Sequence, residues 1–442
     1  MARAGDRRPS APERRRHRAP KSPGARVVTR RGAHDPHPPS SRKRARVRAA
    51  VTPTIRSLLP LLAVTLAFSA ACTPEPQPKE PLGQIPSATT TAKPEWIPFA
   101  IRAGKPVESD PREKHLADLR QLTFGGENAE AYWSPDGKKL ILQSTRDGAA
   151  CDQQFVLDLE SGETKRVSSG KGRTTCGYFF YPKGDKILYS TTEAAGAACP
   201  QKPDRSLGYV WPLDPYDIYV ANPDGSNLKL LVGGPGYDAE ATMAFDGSRI
   251  VFTSSRDNDL ELYTMKPDGT DIRRITNTPG YDGGAFFSPD STKLVWRASR
   301  PEGKELEDFR ALLGKGLVRP TKLEIYVGGL EGQNARAITK NGRANFGPYF
   351  LPDSRRVIFS SNMDSPPELR GAPNFELYMV DSEGPATTTG APASERITFY
   401  DGFDGFPMFS PDGKYLVFAS NRFGTTPGET NVFVARWVDA EK

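Results

Sequence analysis

The sequence predicts an all-β protein, a six-bladed β-propeller of four-stranded blades. Residues 407–424, PMFSPDGKYLVFASNRFG, have the pattern of a hairpin: an apolar run, a Ser-Pro-Asp-Gly turn and a strand that is apolar on both faces. Five similar segments begin at residues 131, 178, 242, 286 and 349. Their turns are 44 to 63 residues apart, which is typical of propeller blades. A lone hairpin would be only marginally stable, so the copies are expected to pack together.

Each blade is expected to contain four strands, and the ends of the chain are expected to share one blade. Residues 239–280 contain a whole blade, in which strands at 249–254, 261–265 and 272–276 follow the first strand. The last blade has three strands, and residues 116–123, LADLRQLT, resemble the fourth strands of other blades. We therefore expect this N-terminal strand to complete the last blade and to protect its edge.

The first 50 residues differ from the rest in charge. They contain 16 Lys+Arg and 3 Asp+Glu, whereas residues 51–442 carry 44 basic and 50 acidic side chains. With few large apolar residues, the segment cannot form a core and is expected to be disordered. It is either a tail for nucleic acid or a membrane surface, or a segment that is not translated because synthesis starts near Val51. The folded part has no basic patch for nucleic acid.

Residues 51–71 are typical of a signal peptide. Arg56 precedes an apolar stretch at 58–68, and small residues follow at 69–71. The apolar stretch is too short for a comfortable transmembrane helix. The chain is therefore expected to be exported.

Residues 68–72, FSAAC, resemble the lipobox of bacterial lipoproteins, in which the cysteine, here Cys72, becomes the lipid-modified first residue. Ser69 stands where Leu is usual, which leaves ordinary cleavage as the alternative. Thr73 is not the Asp that retains such lipoproteins at the inner membrane, so the resemblance favours the outer membrane, on the periplasmic side. The Pro-rich residues 72–114 are expected to be a tether, and 115–442 the propeller.

Two insertions interrupt the repeat, at 192–215 and 300–320. The second contains EGKELEDFRALLGKG, in which apolar residues recur at helical spacing before Gly314. Both insertions follow a second strand, so both are expected on one face of the propeller. They are either loop padding or a surface for a partner protein; the side chains expected to contact that partner are Tyr209, Trp211, Leu306 and Phe309.

The repeated Ser-Pro-Asp-Gly hairpins, their number and the export signal resemble the TolB-like propellers of bacterial envelopes, with their WD40-like Pro-Asp repeats. The resemblance covers 115–438 and implies the propeller fold. TolB-like proteins bind partner proteins, but the extra N-terminal domain of TolB has no room between Cys72 and His115. The resemblance therefore leaves the partner unnamed.

No catalytic motif or metal site is found in the repeats. A Ser-His-Asp triad needs a histidine, and His115 is the one histidine after residue 51, without a nucleophile motif nearby. No G-x-S-x-G elbow occurs in the repeats, and the cysteines have no companion histidine for zinc. The sequence thus favours a binding protein over an enzyme, with no cofactor.

Three cysteines, Cys151, Cys176 and Cys199, lie in the exported part, where a disulfide is expected. All three are expected near one face of blades one and two. The pairs considered are Cys176 with Cys151 and Cys176 with Cys199; three free buried thiols are the alternative.

Alignment of the blades on their turns places one polar residue at the start of each first strand, where first strands line the central channel of a propeller. These six residues are Asn128, Thr175, Asp238, Asp282, Asn345 and Asp404. Their side chains either bond to nearby backbone, as Asx and Thr residues do in turns, or form a partly acidic ring that holds a cation or a basic peptide end.

The expected function is that of a monomeric, lipid-anchored propeller that acts as a protein-interaction scaffold in the cell envelope. The alternative is a propeller that binds a ligand or glycan, with or without hydrolysis, at an acidic channel mouth.

Overall fold

The computed structural model describes residues 101–366 and 374–439. Within these ranges nearly every regular element is an antiparallel β-strand. The basic segment, the signal peptide, Cys72 and the first part of the tether lie outside the described residues. No helix of the described ranges is long and apolar enough to cross a membrane.

The strands fall into blades in chain order. Two strands precede the first blade: β1 (Lys105–Pro106) and β2 (Leu116–Gln121). Blade one contains β3 (Asn128–Trp133), β4 (Lys139–Ser144), β5 (Gln153–Asp158) and β6 (Thr164–Arg166). Blade two contains β7 (Thr174–Phe179), β8 (Ile187–Thr191), β10 (Asp217–Ala221) and β11 (Lys229–Val232), with a 3-10 turn (Arg205–Leu207) and the short β9 (Trp211–Pro212) in its insertion. Blade three contains β12 (Asp238–Met243), β13 (Ile250–Ser254), β14 (Glu261–Met265) and β15 (Arg273–Arg274).

The second half repeats this order. Blade four contains β16 (Asp282–Phe287), β17 (Lys293–Ala298), β19 (Glu324–Gly329) and β20 (Arg336–Ala337), with α1 (Gly303–Leu313) and β18 (Leu317–Val318) in its insertion. Blade five contains β21 (Asn345–Phe350), β22 (Arg356–Ser361), β23 (Glu376–Asp381) and β24 (Ser394–Arg396). Blade six contains β25 (Asp404–Phe409), β26 (Tyr415–Ser420) and β27 (Asn431–Trp437). The described chain is thus a propeller of six blades.

The N-terminal strand β2 lies in the sixth sheet, whose order is β1-β2-β27-β26-β25. Leu116 pairs with Trp437 and Gln121 with Phe433 in antiparallel register. Beyond the strand, the hydroxyl of Thr123 donates to the amide oxygen of Asn431 at 3.1 Å. Residues from both ends of the described chain therefore share one blade, and the edge of β27 is paired.

The Ser-Pro-Asp-Gly turn is held by its own side chains. The Ser134 hydroxyl donates to Asp136 at 2.6 Å and accepts from the backbone N–H of Lys139 at 2.9 Å. Gly137 has a φ of 69°, the left-handed region that glycine tolerates. The same side-chain bonds recur at Ser288 with Asp290 and at Ser410 with Asp412, so three of the six turns are held by a Ser-Pro-Asp motif.

The two insertions pair with each other. Val318 lies opposite Trp211 and Leu317 opposite Pro212, so β9 and β18 form a two-stranded ribbon between blades two and four. We call this ribbon with α1 the strap. Leu213 and, from α1, Phe309 pack against a cluster that contains Tyr281. The expected helix is present as α1, and the insertions cover the propeller rather than projecting as separate loops.

The disulfide joins Cys151 to Cys199, and Cys176 is free. The expectation that Cys176 would be one of the partners is therefore wrong. Cys151 follows β4 of blade one and Cys199 lies in the insertion of blade two, with Cα atoms 5.9 Å apart. Cys176 lies on the innermost strand of blade two, where its side chain faces the central channel instead.

Candidate functional site

The six residues predicted for the channel mouth do begin the innermost strands, but with one error of register. Thr174, not Thr175, is equivalent to Asn128, because Thr174 pairs with Thr191 as Asn128 pairs with Ser144. The blade-two turn is one residue longer than that of blade one: the hydrogen bond that closes it joins Phe180 to Lys186, whereas in blade one it joins Ser134 to Lys139. Alignment on the turn therefore shifts blade two by one position.

These residues are buried inside the blades. Asn128, Asp282, Asn345 and Asp404 have no exposed surface, and Asp238 is 4% exposed. Asn345 donates to the backbone oxygen of Leu323 at 2.6 Å, which is the backbone bonding that the first interpretation of these residues predicts. The expected ring of polar side chains open to the channel is not formed by them.

The three aspartates are paired with arginines that lie two residues after the second strand. Arg256 donates to Asp238 at 2.9 Å, Arg300 to Asp282 at 2.8 and 2.9 Å, and Arg422 to Asp404 at 2.7 Å. Burial raises the pKa of Asp282 to about 7, against the opposing effect of Arg300. These pairs join the first strand of a blade to the connection after its second strand. The charge of each aspartate is therefore largely neutralised within its own blade. The sequence signal for these pairs is an arginine two residues after the second strand, which four blades contain. It is clear only once the partner aspartates are known.

The channel wall is formed two positions further along each first strand. From blade one to blade six, the residues at this position are Glu130, Cys176, Glu240, Gly284, Gly347 and Phe406. All six have positive φ, between 51° and 60°. The ladder between the first and second strands shifts register at this point in every blade. We call these residues the bulge ring: a β-bulge turns each one toward the channel.

Glu240 of the bulge ring forms a buried network with Arg297 and Tyr281. Arg297 makes a close ion pair with Glu240, and its Nη2 donates to the Tyr281 hydroxyl at 2.7 Å. Glu240 also accepts from the Thr253 hydroxyl at 2.7 Å and from the backbone N–H of Gly284 at 2.9 Å. The side chains of Glu240 and Arg297 are 11% and 9% exposed. Separating two charges paired in this way costs free energy of folding, because each would be left buried without a partner.

Gly284 makes room for this network. A Cβ atom at Gly284 would lie against Nη1 of Arg297 and 2.8 Å from its Cζ. Only because the side chain is absent can the guanidinium of Arg297, from the second strand of blade four, cross the bulge ring to reach Glu240 of blade three.

Glu130 is the carboxyl group of the ring without such a partner. Its Oε2 is shielded from solvent and has no hydrogen-bond partner among the described residues. Burial, helped by the nearby charge of Glu240, raises the pKa of Glu130 to about 7, although the Cys176 thiol and Arg297 act in the opposite direction. Burial likewise raises the pKa of Cys176 well above its usual range. Glu130 therefore lies in a site that disfavours its charged form.

Below the bulge ring, aromatic side chains close the channel. Tyr132 of blade one contacts Phe286 of the opposite blade four, with ring centroids 5.5 Å apart, and Tyr178 and Tyr349 pack against the same ring of Phe286. The cavity that remains has a volume of about 20 Å³, which is room for about one water molecule. The channel is therefore a shallow site at the mouth rather than a pore.

The strap covers part of the mouth. The Trp211 ring lies over the guanidinium of Arg297, 5.1 Å from ring centroid to Cζ, and meets Tyr281 edge-on. Its indole N–H donates to the hydroxyl of Tyr209 at 3.0 Å. Of the four residues predicted to contact a partner, Tyr209 is 68% exposed, whereas Trp211, Leu306 and Phe309 are partly buried. Trp211 and Phe309 thus contribute to packing within the protein.

Exposed aromatic residues concentrate on the face where the inner strands begin, which we call the insertion face. Five large apolar side chains are strongly exposed among the described residues: Phe124, Tyr209, Leu230, Ile272 and Phe423. Phe124 lies between β2 and β3, Phe423 between β26 and β27, and Tyr209 in the insertion of blade two, before β9. All three connections belong to the insertion face. Leu230 and Ile272 lie on or beside the outermost strands of blades two and three, and none of the five lies in the Ser-Pro-Asp-Gly turns of the opposite face.

Within residues 101–366 and 374–439, no group of three or more His, Cys, Asp or Glu side chains is placed to hold a metal ion. His115 is buried and stacks on Trp437, with ring centroids 4.7 Å apart. Its ring nitrogens lie 2.7 Å from the Val438 oxygen and 3.0 Å from Glu395. These contacts make His115 part of the packing beside β2.

No family model matches the chain, and no curated protein matches it. Solved structures similar to it include a putative TolB from Agrobacterium tumefaciens, with 19% identity, coverage of 71% of this chain and 91% of that one, and a TM-score of 0.47. TolB from Acinetobacter baumannii has 18% identity, coverage of 71% and 65%, and a TM-score of 0.43. A gluconolactonase from Xanthomonas campestris has 13% identity, coverage of 77% and 99%, and a TM-score of 0.46. Likeness at this level assigns neither an activity nor a partner to this chain.

Proposed function

We propose that this chain is a protein-binding propeller that docks a partner of the bacterial cell envelope on its insertion face. The observation that carries the proposal is the position of Phe124, Tyr209 and Phe423. Aromatic residues contribute strongly to interaction hot spots, and rigid scaffolds commonly bind through their connecting loops. Here the strongly exposed aromatic residues of 101–366 and 374–439 lie in such loops, on one face.

The proposed location is the periplasmic side of the outer membrane. It is supported by the sequence of residues 51–72, with Cys72 as the site of lipid attachment. The tether is shorter than the predicted 72–114, because Ala103 is buried and β1 pairs with β2, so that the last part of this segment belongs to the propeller. The proposed form is a tethered monomer, which would leave the insertion face free to meet its partner.

A second candidate function, binding of a small ligand or glycan at the channel mouth, is favoured by one observation. Glu130 presents a shielded carboxylate oxygen without a partner among the described residues. Buried polar groups of this kind are uncommon in folded proteins and often mark functional sites.

The test of the first proposal compares two sets of exposed apolar residues. The full-length protein carrying Phe124→Ala, Tyr209→Ala and Phe423→Ala is crosslinked in membranes and its partners are captured. Loss of one or two aromatic hot spots costs ~2 kcal/mol or more, about thirtyfold in affinity, so capture should fail. The matched control is Leu230→Ala with Ile272→Ala, which removes equally exposed apolar groups from the outer strands. If the three aromatic substitutions leave capture intact and the Leu230 and Ile272 substitutions abolish it, the interface lies elsewhere.

A further inference from the structure

We infer that the channel mouth binds a primary ammonium group, seated on the Glu130 carboxylate and beside the aromatic residues next to it. The inference rests on the proposed function in one respect: a lysine side chain or an amino terminus of the docked partner would supply this group.

The first argument is a balance of charge. Two carboxyl groups of the bulge ring, Glu130 and Glu240, face one guanidinium, Arg297. Arg297 is already engaged by Glu240 and by the Tyr281 hydroxyl. Cys176, Asp152 and Tyr132 also interact with Glu130, and none of them supplies positive charge. With both carboxyl groups ionised, the site carries one uncompensated negative charge, which either a proton or a bound cation must neutralise.

The second argument is the shape of the site. Beside Glu130 in the ring is Phe406, below it are Tyr132 and Phe286, and at Gly347 the wall has no side chain. A cation that contacts a carboxylate and aromatic faces together is stabilised by both. The cavity of about 20 Å³ accepts a group the size of a water molecule. An –NH₃⁺ head has that size and three N–H donors, whereas a guanidinium or a trimethylammonium group is larger.

A hard metal ion fits the site less well. Ca²⁺ and Mg²⁺ take about six or more oxygen ligands, and around this cavity the described residues offer one carboxylate without an ion-pair partner, beside a thiol. The donors of the site therefore match an ammonium group better than a divalent cation.

The experiment measures binding of n-butylammonium chloride to the full-length protein by NMR titration or calorimetry. We expect saturable binding that is about tenfold weaker at pH 6 than at pH 8, because the site must be ionised to bind and the amine stays charged over this range. Glu130→Gln, which keeps the shape and removes the charge, should weaken binding by at least tenfold and abolish the pH dependence. The matched control is Glu127→Gln, the same change at an exposed residue, which should bind as the wild type does.

A direct titration of Glu130 in the wild-type protein tests the inference even if a variant folds poorly. In wild-type protein with labelled glutamate carboxyl carbons, addition of n-butylammonium should lower the pKa of Glu130. Equal binding of 1-butanol would show apolar filling of the cavity, and equal binding of tetramethylammonium would show a nonspecific charge effect. Either result overturns the inference, as does an unshifted Glu130 or the absence of saturable binding at millimolar concentration.

The two proposals fail separately. If Glu130→Gln loses butylammonium binding but the protein still captures its partner, docking on the insertion face stands. In that case the partner does not insert an ammonium group at the channel mouth. Butylammonium binding by a protein whose insertion-face variants capture partners normally supports the channel site and refutes the docking surface.

Discussion

Substitution of Gly284 by alanine tests whether the bulge ring is built around Arg297. Two costs are expected. The first is the backbone cost of an L-residue at a φ of +60°, about 1–2 kcal/mol. The second arises because the new Cβ occupies the place of the Arg297 guanidinium, which must leave Glu240. Breaking one partner away from a buried ion pair costs about 3–5 kcal/mol. The total loss of stability should be about 4–7 kcal/mol.

The propeller contains its own control for the backbone cost. Gly347 occupies the same ring position in blade five, with a φ of +57°. A Cβ at Gly347 meets its nearest neighbour, the backbone of Phe406, at 3.4 Å, an ordinary contact. Gly347→Ala should therefore lose only about 1–2 kcal/mol.

Urea unfolding at pH 7 of the two variants and the wild type measures both losses. The difference between the two variants isolates the displacement of Arg297 and should shrink when Glu240→Gln is added to both. Equal losses in Gly284→Ala and Gly347→Ala would refute the account of Gly284, since they would show that Arg297 moves aside at no cost.

Four further outcomes are expected. Between about pH 4.5 and pH 7 the folded protein holds a proton on Glu130 that the unfolded chain releases, so wild-type stability should fall as pH rises through this window, by up to about 3 kcal/mol; in Glu130→Gln, compared by urea unfolding, the fall should be smaller, and an identical pH profile would contradict the buried carboxyl. Phe418 is fully buried, so Phe418→Ala should cost about 3–5 kcal/mol in the same assay, and a loss below about 1 kcal/mol would place it outside the core. Cys72→Ser should release the protein from membranes in a fractionation experiment; a wild-type protein that is already soluble and has no acyl mass would rule the anchor out. Deletion of 116–123 should expose the edge of β27 and cause aggregation by light scattering, whereas an unchanged monomer with unchanged melting would mean that β2 is dispensable.

Much of the architecture could be predicted because the signals are local. The Ser-Pro-Asp-Gly turns depend on bonds within five residues, as at Ser134 and Lys139, and strands of alternating or continuous apolar residues follow at a fixed distance. The helix α1 was predictable from the spacing of its apolar residues before Gly314, which ends it. Six blades follow from six copies of this pattern.

The site could be predicted only in part. Five of the six predicted residues, all except Thr175, begin inner strands, but the residues that face the channel lie two positions later, because a bulge intervenes. Glycine would have indicated a bulge, and glycine occupies only the two ring positions at Gly284 and Gly347. The pairing of Trp211 with Val318 joins two insertions far apart in the chain, and no local pattern specifies such a contact.

The blades and the channel use charge in different ways. Within blades, each of the three buried aspartates of the first strands is matched by an arginine from the same blade, as Asp282 is by Arg300. Such pairs fix the conformation of a connection between strands. Their net contribution to the free energy of unfolding is small, because the desolvation of the two charges offsets their attraction. In the channel, Arg297 crosses between blades to neutralise Glu240, and Glu130 remains without an equivalent. On the inner strands, Asp238, Asp282, Asp404 and Glu240 each have an arginine partner. Glu130 has none among the described residues, and its carboxyl group at the mouth is therefore the one most suited to a cation from outside the chain.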